Sequence, residues 1–244
     1  MPAPWAAPKM QSWVKLPTAW ILDDGLKAFR WEAQRGGPEV AALMLLAIIG
    51  HHAEATTGIA KISYDDMTDA AGISRALVSR ALDVLIEREL IARAPGGRGT
   101  WGLVNYDPAL GWAKLPARGL YGGATVRAFQ NFTLRHRNEL FAMKLYFLFA
   151  AFRDNVSNCA SISYDRIVER TGVPRDGIKA AISTLIINGL LYVENSPSWD
   201  ARAATGQSSP IYNRYRLTHL DSYRHAGTSG RGEDPFPSLD EPPF

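Results

Sequence analysis

Cysteine is almost absent from the sequence, which contains only Cys159 among its 244 residues. A single cysteine cannot form an internal disulfide or a cysteine-based zinc site, and this excludes the class of small disulfide-rich secreted proteins. Long apolar runs are also absent, since the two longest, 41–49 and 140–152, are shorter than the roughly 20 residues of a membrane span. The first residues lack the cationic end and apolar stretch of a secretory signal. We therefore expect a soluble protein of the cytoplasm.

The chain also lacks the motifs that many enzymes and cofactor-binding proteins carry. The glycine run at 96–99 is not part of a GxxxxGK[ST] loop, which would cradle the phosphates of a nucleotide. His51 and His52 are adjacent rather than spaced along one helix face, so they indicate the end of a helix and not a metal site. Tyr64 and Tyr164 lack the histidine cluster of a nicking enzyme, and we interpret both as packing residues. The prediction is a protein without catalytic residues, metal or cofactor.

Positive charge exceeds negative charge only slightly, with 27 lysines and arginines against 24 aspartates and glutamates. The distribution is uneven, because the last twelve residues contain four carboxylates and no lysine or arginine. The rest of the chain has 27 basic and 20 acidic residues, which is a formal charge of +7. A basic body with an acidic tail suits a polyanionic partner such as nucleic acid, although many proteins with this excess never bind DNA.

Two segments of the sequence are repeated at a nearly constant spacing. The motif WxKLP occurs at Trp13–Pro17 and, 99 residues later, at Trp112–Pro116, while ISYD at 62–65 returns 100 residues later. Gly72, Arg75 and several apolar residues also have identical counterparts 100 residues further along. So many identical residues at a nearly constant spacing indicate an internal duplication. We therefore predict two homologous domains, 13–111 and 112–220, between disordered tails at 1–12 and 221–244.

Each predicted domain has the same order of elements. Ser63 and Ser163 are expected to cap a short helix, and Gly72 and Gly172 to allow a sharp turn into an amphipathic helix. The predicted helices lie at 38–53, 64–69 and 74–88 in the first domain and at 138–155, 164–169 and 174–188 in the second. The predicted strands, which form one hairpin in each domain, lie at 90–93, 101–106, 190–193 and 211–217. The predicted fold class is α+β, mainly α with small β-hairpins.

The stretch 62–91, ISYDDMTDAAGISRALVSRALDVLIERELI, resembles the helix-turn-helix core of bacterial winged-helix proteins, in which a GxSxxxVSRAL-like pattern opens the recognition helix. The WVKLP segment and the apolar helix ending near His51 are similar to the amino-terminal winged helix of replication initiators from phages and plasmids. Two winged helices in tandem are the usual plan of plasmid initiators. The resemblance therefore implies two tandem winged helix-turn-helix domains that bind double-stranded DNA.

The same resemblance indicates which side chains of the first domain contact DNA. A recognition helix fits the major groove, where an arginine can donate two hydrogen bonds to one guanine. We expect Arg75, Ser79 and Arg80 to read bases in this way. The alternative is that Arg75 binds only phosphate and that Arg80 lies in solvent.

The second domain departs from the first at its recognition helix, where Pro174 replaces Ser74, Ala180 replaces Arg80, and Gly177 lies inside the helix. Few donors for guanine remain, so we expect this helix to grip phosphates instead. Basic residues near the hairpin turns are expected to reach the backbone or minor groove. The residues predicted to contact the DNA backbone or to act from a wing are Arg93, Arg98, Arg175, Lys179, Arg202 and Arg214.

The chain ends in GEDPFPSLDEPPF, where acidic residues precede a terminal Pro-Phe. This end resembles the acidic tip of bacterial single-stranded-DNA-binding protein, whose final Pro-Phe is held by replication and repair proteins. The resemblance implies that replisome proteins bind Asp240, Glu241 and Phe244 through a basic pocket. The alternative is a solvated tail that keeps a basic protein soluble and limits non-specific DNA binding.

Three functions fit these patterns. The first is a replication initiator or accessory factor of a plasmid, phage or integrated element, in the bacterial cytoplasm and associated with the nucleoid or plasmid. The second is a transcriptional repressor or regulator that binds an operator with the same helices. The third is a winged-helix module that binds protein. The duplicated architecture favours the initiator, which we expect to bind double-stranded DNA, with replisome proteins and self-association on DNA as further contacts.

Overall fold

The computed structural model of the protein describes residues 10–32, 36–155, 157–194 and 213–220. These residues form a mixed α+β fold that is about half helical, with small antiparallel sheets. The α-helices are α1 (Ala19–Leu22), α2 (Gly36–His52), α3 (Tyr64–Ala71), α4 (Arg75–Glu87), α5 (Arg137–Ala151), α6 (Tyr164–Thr171) and α7 (Arg175–Ile187). The strands are β1 (Trp13–Pro17), β2 (Ile59–Lys61), β3 (Ile91–Arg93), β4 (Thr100–Leu103), β5 (Trp112–Pro116), β6 (Tyr121–Gly122), β7 (Thr125–Val126), β8 (Ala160–Ser161), β9 (Leu191–Glu194) and β10 (Arg214–Leu217). None of the described helices is both long enough and apolar enough to cross a membrane.

The two long helices α2 and α5 lie at the centre of the molecule. Every residue of α2 from 40 to 51 is buried, and so is every residue of α5 from 139 to 150 except Phe141. A helix that is apolar on all sides must be covered on all sides. The helix α2 packs against α3, α4 and α5, while α5 also packs against α6 and α7. The two halves of the chain therefore share one continuous hydrophobic core.

All three helices predicted in each half are present, and no helix start or end differs from the prediction by more than four residues. The largest difference is at α5, which ends at Ala151. The chain leaves the helix after Ala151, and Arg153 forms an isolated antiparallel bridge with Ala160. The chain beyond Ala151 therefore pairs with a residue seven positions after Arg153 instead of continuing the predicted helix.

The caps and turns around α3 and α6 follow from local chemistry. The Ser63 hydroxyl accepts a hydrogen bond from the backbone amide of Asp66 at 3.1 Å, and the Asp66 carboxylate accepts one from the Ser63 amide at 3.0 Å. Ser163 caps α6 by accepting from the amide of Arg166 at 3.2 Å. Gly72 and Gly172 follow these helices with φ of 69° and 66°, in the left-handed region that favours glycine. The predicted caps and glycine turns are confirmed.

Each half contains a three-stranded antiparallel sheet rather than a hairpin alone. The strand orders are β2-β4-β3 and β8-β10-β9. The hairpin strands β3, β4, β9 and β10 lie within or next to the predicted ranges, whereas β2 and β8 were not predicted. Strands of two or three residues are too short to show a period-two pattern, so pairing with β4 or β10 decides their structure. Most of the predicted loop between β9 and β10 lies outside the described residues.

The two WxKLP segments pair with each other as the antiparallel strands β1 and β5. The register places Lys15 opposite Lys114, Trp13 opposite Pro116 and Pro17 opposite Trp112. The repeat unit of the sequence thus forms a two-stranded sheet across the halves of the molecule. Further contacts between the halves include an Arg170 hydrogen bond to the Leu22 carbonyl at 2.7 Å.

Candidate nucleic-acid interface

The helix α4 has one face in the core and one face in solvent. Its buried face, which lies against α2, consists of Val78, Ala81, Leu82 and Leu85. The Ser74 hydroxyl caps its amino end by accepting a hydrogen bond from the Leu77 amide at 3.3 Å. Arg80 is exposed and Ser79 is half-buried. The side chain of Arg80 is therefore accessible to a partner along the solvent face of α4.

Arg75 is the first residue of α4 and is held by two side chains of α3. It forms an ion pair with Asp65, and its guanidinium carbon lies 5.3 Å from the centre of the Tyr64 ring. The side chains of Arg75 and Asp65 are 65% and 81% exposed. An exposed ion pair contributes little to stability, so Arg75 can exchange the Asp65 carboxylate for a phosphate at low energetic cost. The arrangement orients the guanidinium at the surface.

The same cluster is present in the second half. Arg175 begins α7, forms an ion pair with Asp165 of α6, and lies 5.8 Å from the centre of the Tyr164 ring. The sequence predicts base reading by Arg75 and backbone contact by Arg175. The two arginines thus have matching surroundings, whereas the counterpart of Arg80 in the second half is Ala180.

The helix α7 differs from α4 along its outer face. Pro174 occupies the cap position without a side-chain hydrogen bond, and Lys179 is exposed. A side chain at Gly177 would place its Cβ 3.1 Å from the Phe141 ring, so the glycine permits close packing of α7 on α5. Ile187 is 80% exposed. The outer face of α7 thus offers one basic group, Lys179, in addition to Arg175 at the helix start.

The β3–β4 hairpin carries two arginines of the predicted interface. The guanidinium carbon of Arg93 lies 4.3 Å from the centre of the buried Trp101 ring, which fixes the side chain against its own sheet. Arg98 is exposed in the turn, where Gly96, Gly97 and Gly99 all have positive φ. Arg98 is therefore a solvent-exposed basic residue of the hairpin turn.

The second sheet holds its arginines by ion pairs. Arg214 is 3.8 Å from the Glu194 carboxylate, and the buried Arg216 is 2.6 Å from the same group. The charge of Arg214 is therefore partly compensated within the protein. Of the other predicted contact residues, Arg202, Asp240, Glu241 and Phe244 lie outside the described residues.

His51 and His52 end the helix α2, as predicted. The Nδ1 atom of His51 is 3.0 Å from the Tyr121 hydroxyl, and burial together with the neighbouring His52 lowers the pKa of His51 to about 3. His51 is therefore neutral near pH 7 and joins the two halves through one hydrogen bond. The described part of the chain contains no group of three or more histidine, cysteine or carboxylate side chains able to hold a metal ion.

Some residues of interest were not found by sequence reasoning. Tyr64 packs near Trp101, with ring centres 6.4 Å apart, but it also contacts Arg75 and so does more than fill the core. The lysines and tryptophans of the WxKLP repeat lie on one surface. The alternation of these residues with buried ones is the signal that could have indicated an exposed strand face.

Comparison of the chain with protein-family models, curated proteins and solved structures finds no match.

Proposed function

We propose that the protein binds specific sequences of double-stranded DNA through two winged helix-turn-helix domains, with α4 and α7 as recognition helices. We further propose that it is a replication initiator or accessory factor of a plasmid, phage or integrated element. In this proposal Arg80 reads bases, and Arg75, Arg175 and Lys179 contact phosphates. Ser79, Arg93, Arg98 and Arg214 contribute secondary contacts.

The observation that carries the proposal is the duplication of an arginine cluster at the start of an exposed helix. Arg75 and Arg175 each follow a left-handed glycine turn, and each is oriented by an aspartate and a tyrosine of the preceding helix. Guanidinium groups bind phosphate oxygens in a bidentate geometry, and phosphate contacts set the register of a protein on DNA. Two such clusters on one continuous hydrophobic core suit two contacts on one duplex.

The order of elements supports the winged-helix assignment. In both halves a helix, a glycine turn and a second helix lead into a hairpin whose second strand is central in the sheet and also pairs with a third strand. This order is typical of a helix-turn-helix followed by a wing. The exposed turn with Arg98 corresponds to the tip of the first wing.

The helices and strands of the two repeats favour a replication initiator over a transcriptional repressor. A repressor more often combines one winged helix with a dimerisation helix or a ligand-binding domain. Within the described ranges, every helix and strand belongs to one of the two repeats or to the segments that pair them. The duplicated plan therefore supports an initiator, and a transcriptional repressor that uses the same helices is the alternative.

Two experiments test the proposal. Selection from a random duplex library with the full-length protein should enrich one site, and failure to enrich any sequence would contradict sequence-specific binding. Crosslinking of the tagged protein across the host genome and its mobile elements should then give peaks at one replication origin. Peaks at many promoters would instead assign the protein to transcriptional regulation.

A further inference from the structure

The sheet formed by β1 and β5 has one apolar face and one face that carries tryptophan and lysine side chains. The residues that point into the core are Val14, Leu16, Ala113 and Leu115, all of which are buried. Because side chains alternate along a strand, Trp13, Lys15, Trp112 and Lys114 lie together on the opposite face, which ends at the buried Pro17 and Pro116. These four residues are called the tryptophan-lysine face below.

The four side chains of this face contact each other across the two strands. The indole rings of Trp13 and Trp112 are stacked, with centres 5.7 Å apart and planes 5° from parallel. The Lys15 ammonium lies 5.0 Å from the centre of the Trp112 ring, and the Lys114 ammonium lies 4.5 Å from the centre of the Trp13 ring. The two lysines are also directly opposite in the register. The internal repeat thus builds a near-symmetric cluster of two indoles and two ammonium groups.

The composition of this face points to an anionic ligand with flat rings. Trp112 is 36% exposed, although an indole is the largest side chain that a protein can bury. The face carries two positive charges and no carboxylate among its outward residues. The acidic residue Asp107 lines a small cavity with Lys15 and Trp112, and its carboxylate accepts a hydrogen bond from the Ala109 amide at 2.8 Å.

We propose that the tryptophan-lysine face binds single-stranded nucleic acid. Bases stack on exposed aromatic rings irrespective of their sequence, while lysines bind the phosphates between them. Lys15 and Lys114 now lie over the indoles, and their long side chains allow the ammonium groups to move onto phosphates as bases arrive. Bases in a duplex are already stacked and paired, so only the bases of an unpaired strand can stack on an indole at the protein surface.

The tryptophan-lysine face lies away from the start of the proposed recognition helix α4. Leu16 and Pro17 of β1 line a cavity with Glu89 and Leu90, which follow the carboxyl end of α4. Arg75 is at the other end of this helix, whose thirteen residues span about 20 Å. The single-stranded site is therefore distinct from the start of α4, where Arg75 is proposed to bind the duplex. A protein with both sites would hold a duplex and an adjacent unpaired strand together.

Binding of the full-length protein to a labelled single-stranded oligonucleotide of mixed sequence tests the proposal. The double variant Lys15→Gln/Lys114→Gln should lower the salt dependence of single-strand binding by about 1.4 log units per log unit of salt, because two fewer counterions are released. Trp112→Leu should weaken the same binding by about fivefold to 150-fold, since stacking on one base is lost. The oligonucleotide should also quench part of the tryptophan fluorescence of the wild-type protein.

Duplex binding and thermal unfolding of each variant provide the controls. Lys179→Gln is the matched control, because it should weaken duplex binding and leave single-strand binding unchanged. Absence of single-strand binding by the wild-type protein, or equal single-strand binding by the wild type and the folded Lys15→Gln/Lys114→Gln variant, would overturn the proposal. Single-strand binding without any duplex binding by the wild-type protein would instead contradict the proposed DNA-recognition function and leave the single-strand site intact.

Discussion

Arg75 at the start of α4 is paired with Asp65 in the first turn of α3, across the glycine turn that joins the two helices. The same pair recurs as Arg175 and Asp165 in the second half. In each pair the carboxylate faces the group that we propose to bind phosphate. The aspartates therefore have two opposing effects, since they orient the arginines and also repel the DNA backbone.

Replacement of Asp65 by Asn should strengthen DNA binding. A unit charge 4 Å from a phosphate contributes about 1 kcal/mol in water, so we expect roughly a twofold to fivefold lower Kd at low salt. The effect should shrink as salt is added, because the groups are exposed. Asp23→Asn makes the same charge change in the exposed turn after α1 and is the control. Weaker binding by Asp65→Asn would show that orientation of Arg75 outweighs repulsion.

Replacement of Arg80 by Ala should change which DNA sequences are selected. Loss of a bidentate contact to guanine costs about 1 to 3 kcal/mol at the preferred site and relaxes selection at one base pair. Selection from a random duplex library with wild type and variant measures this directly. An unchanged sequence preference would mean that Arg80 lies in solvent in the complex.

Replacement of Lys179 by Ala should weaken binding to all duplexes alike. A contact to phosphate carries no base information, and its loss lowers the salt dependence of the affinity by about 0.9. Titrations of the preferred site and of an unrelated duplex at several salt concentrations give both quantities. A larger loss at the preferred site than at the unrelated one would assign base reading to α7.

The pH dependence of the unfolding free energy should reflect the protonation of the buried His51. Its pKa is about 3 in the folded state and about 6.5 when unfolded, so the unfolded chain binds a proton first as the pH falls. Relative to His51→Phe, the wild type should therefore lose about 2 to 3 kcal/mol of unfolding free energy between pH 6.5 and 4.5. Denaturant titrations at each pH measure the difference. A constant difference would mean that the buried site accommodates the charged ring.

The titration of Lys144 should dominate the pH dependence of the unfolding free energy in a second, alkaline range. It is buried and donates a hydrogen bond to the Thr171 carbonyl at 2.8 Å, and burial lowers its pKa from 10.5 to about 8. The unfolded chain then holds a proton that the folded one has lost, so this group makes the protein more stable as the pH rises above 8.

The variant Lys144→Met removes this titration. From pH 7 to pH 10 the wild type should gain about 2 to 3 kcal/mol of unfolding free energy relative to the variant. Comparison of the two proteins at each pH cancels the tyrosines and Cys159, which also titrate in the alkaline range. An equal response of both proteins to pH would contradict a depressed lysine pKa.

Much of the secondary structure was predictable from local chemistry, and the duplication was visible in the sequence itself. Caps such as Ser63 and turns such as Gly72 depend only on neighbouring residues, and the stripe from Val78 to Leu85 depends only on helical periodicity. These features were therefore predictable. The candidate contact residues on α4, including the exposed Arg80, could be chosen in the same way, and their roles on DNA are still predictions.

Tertiary structure decided what depends on residues far apart in the chain. Nothing near Trp13 or Trp112 indicates that the two repeats pair, because the register of β1 and β5 follows from burial of their apolar faces against α2 and α5. The short strands β2 and β8 likewise exist only through pairing with β4 and β10. The equivalence of Arg75 and Arg175, and the cluster of two indoles and two ammonium groups, arise because folding brings distant side chains within contact distance.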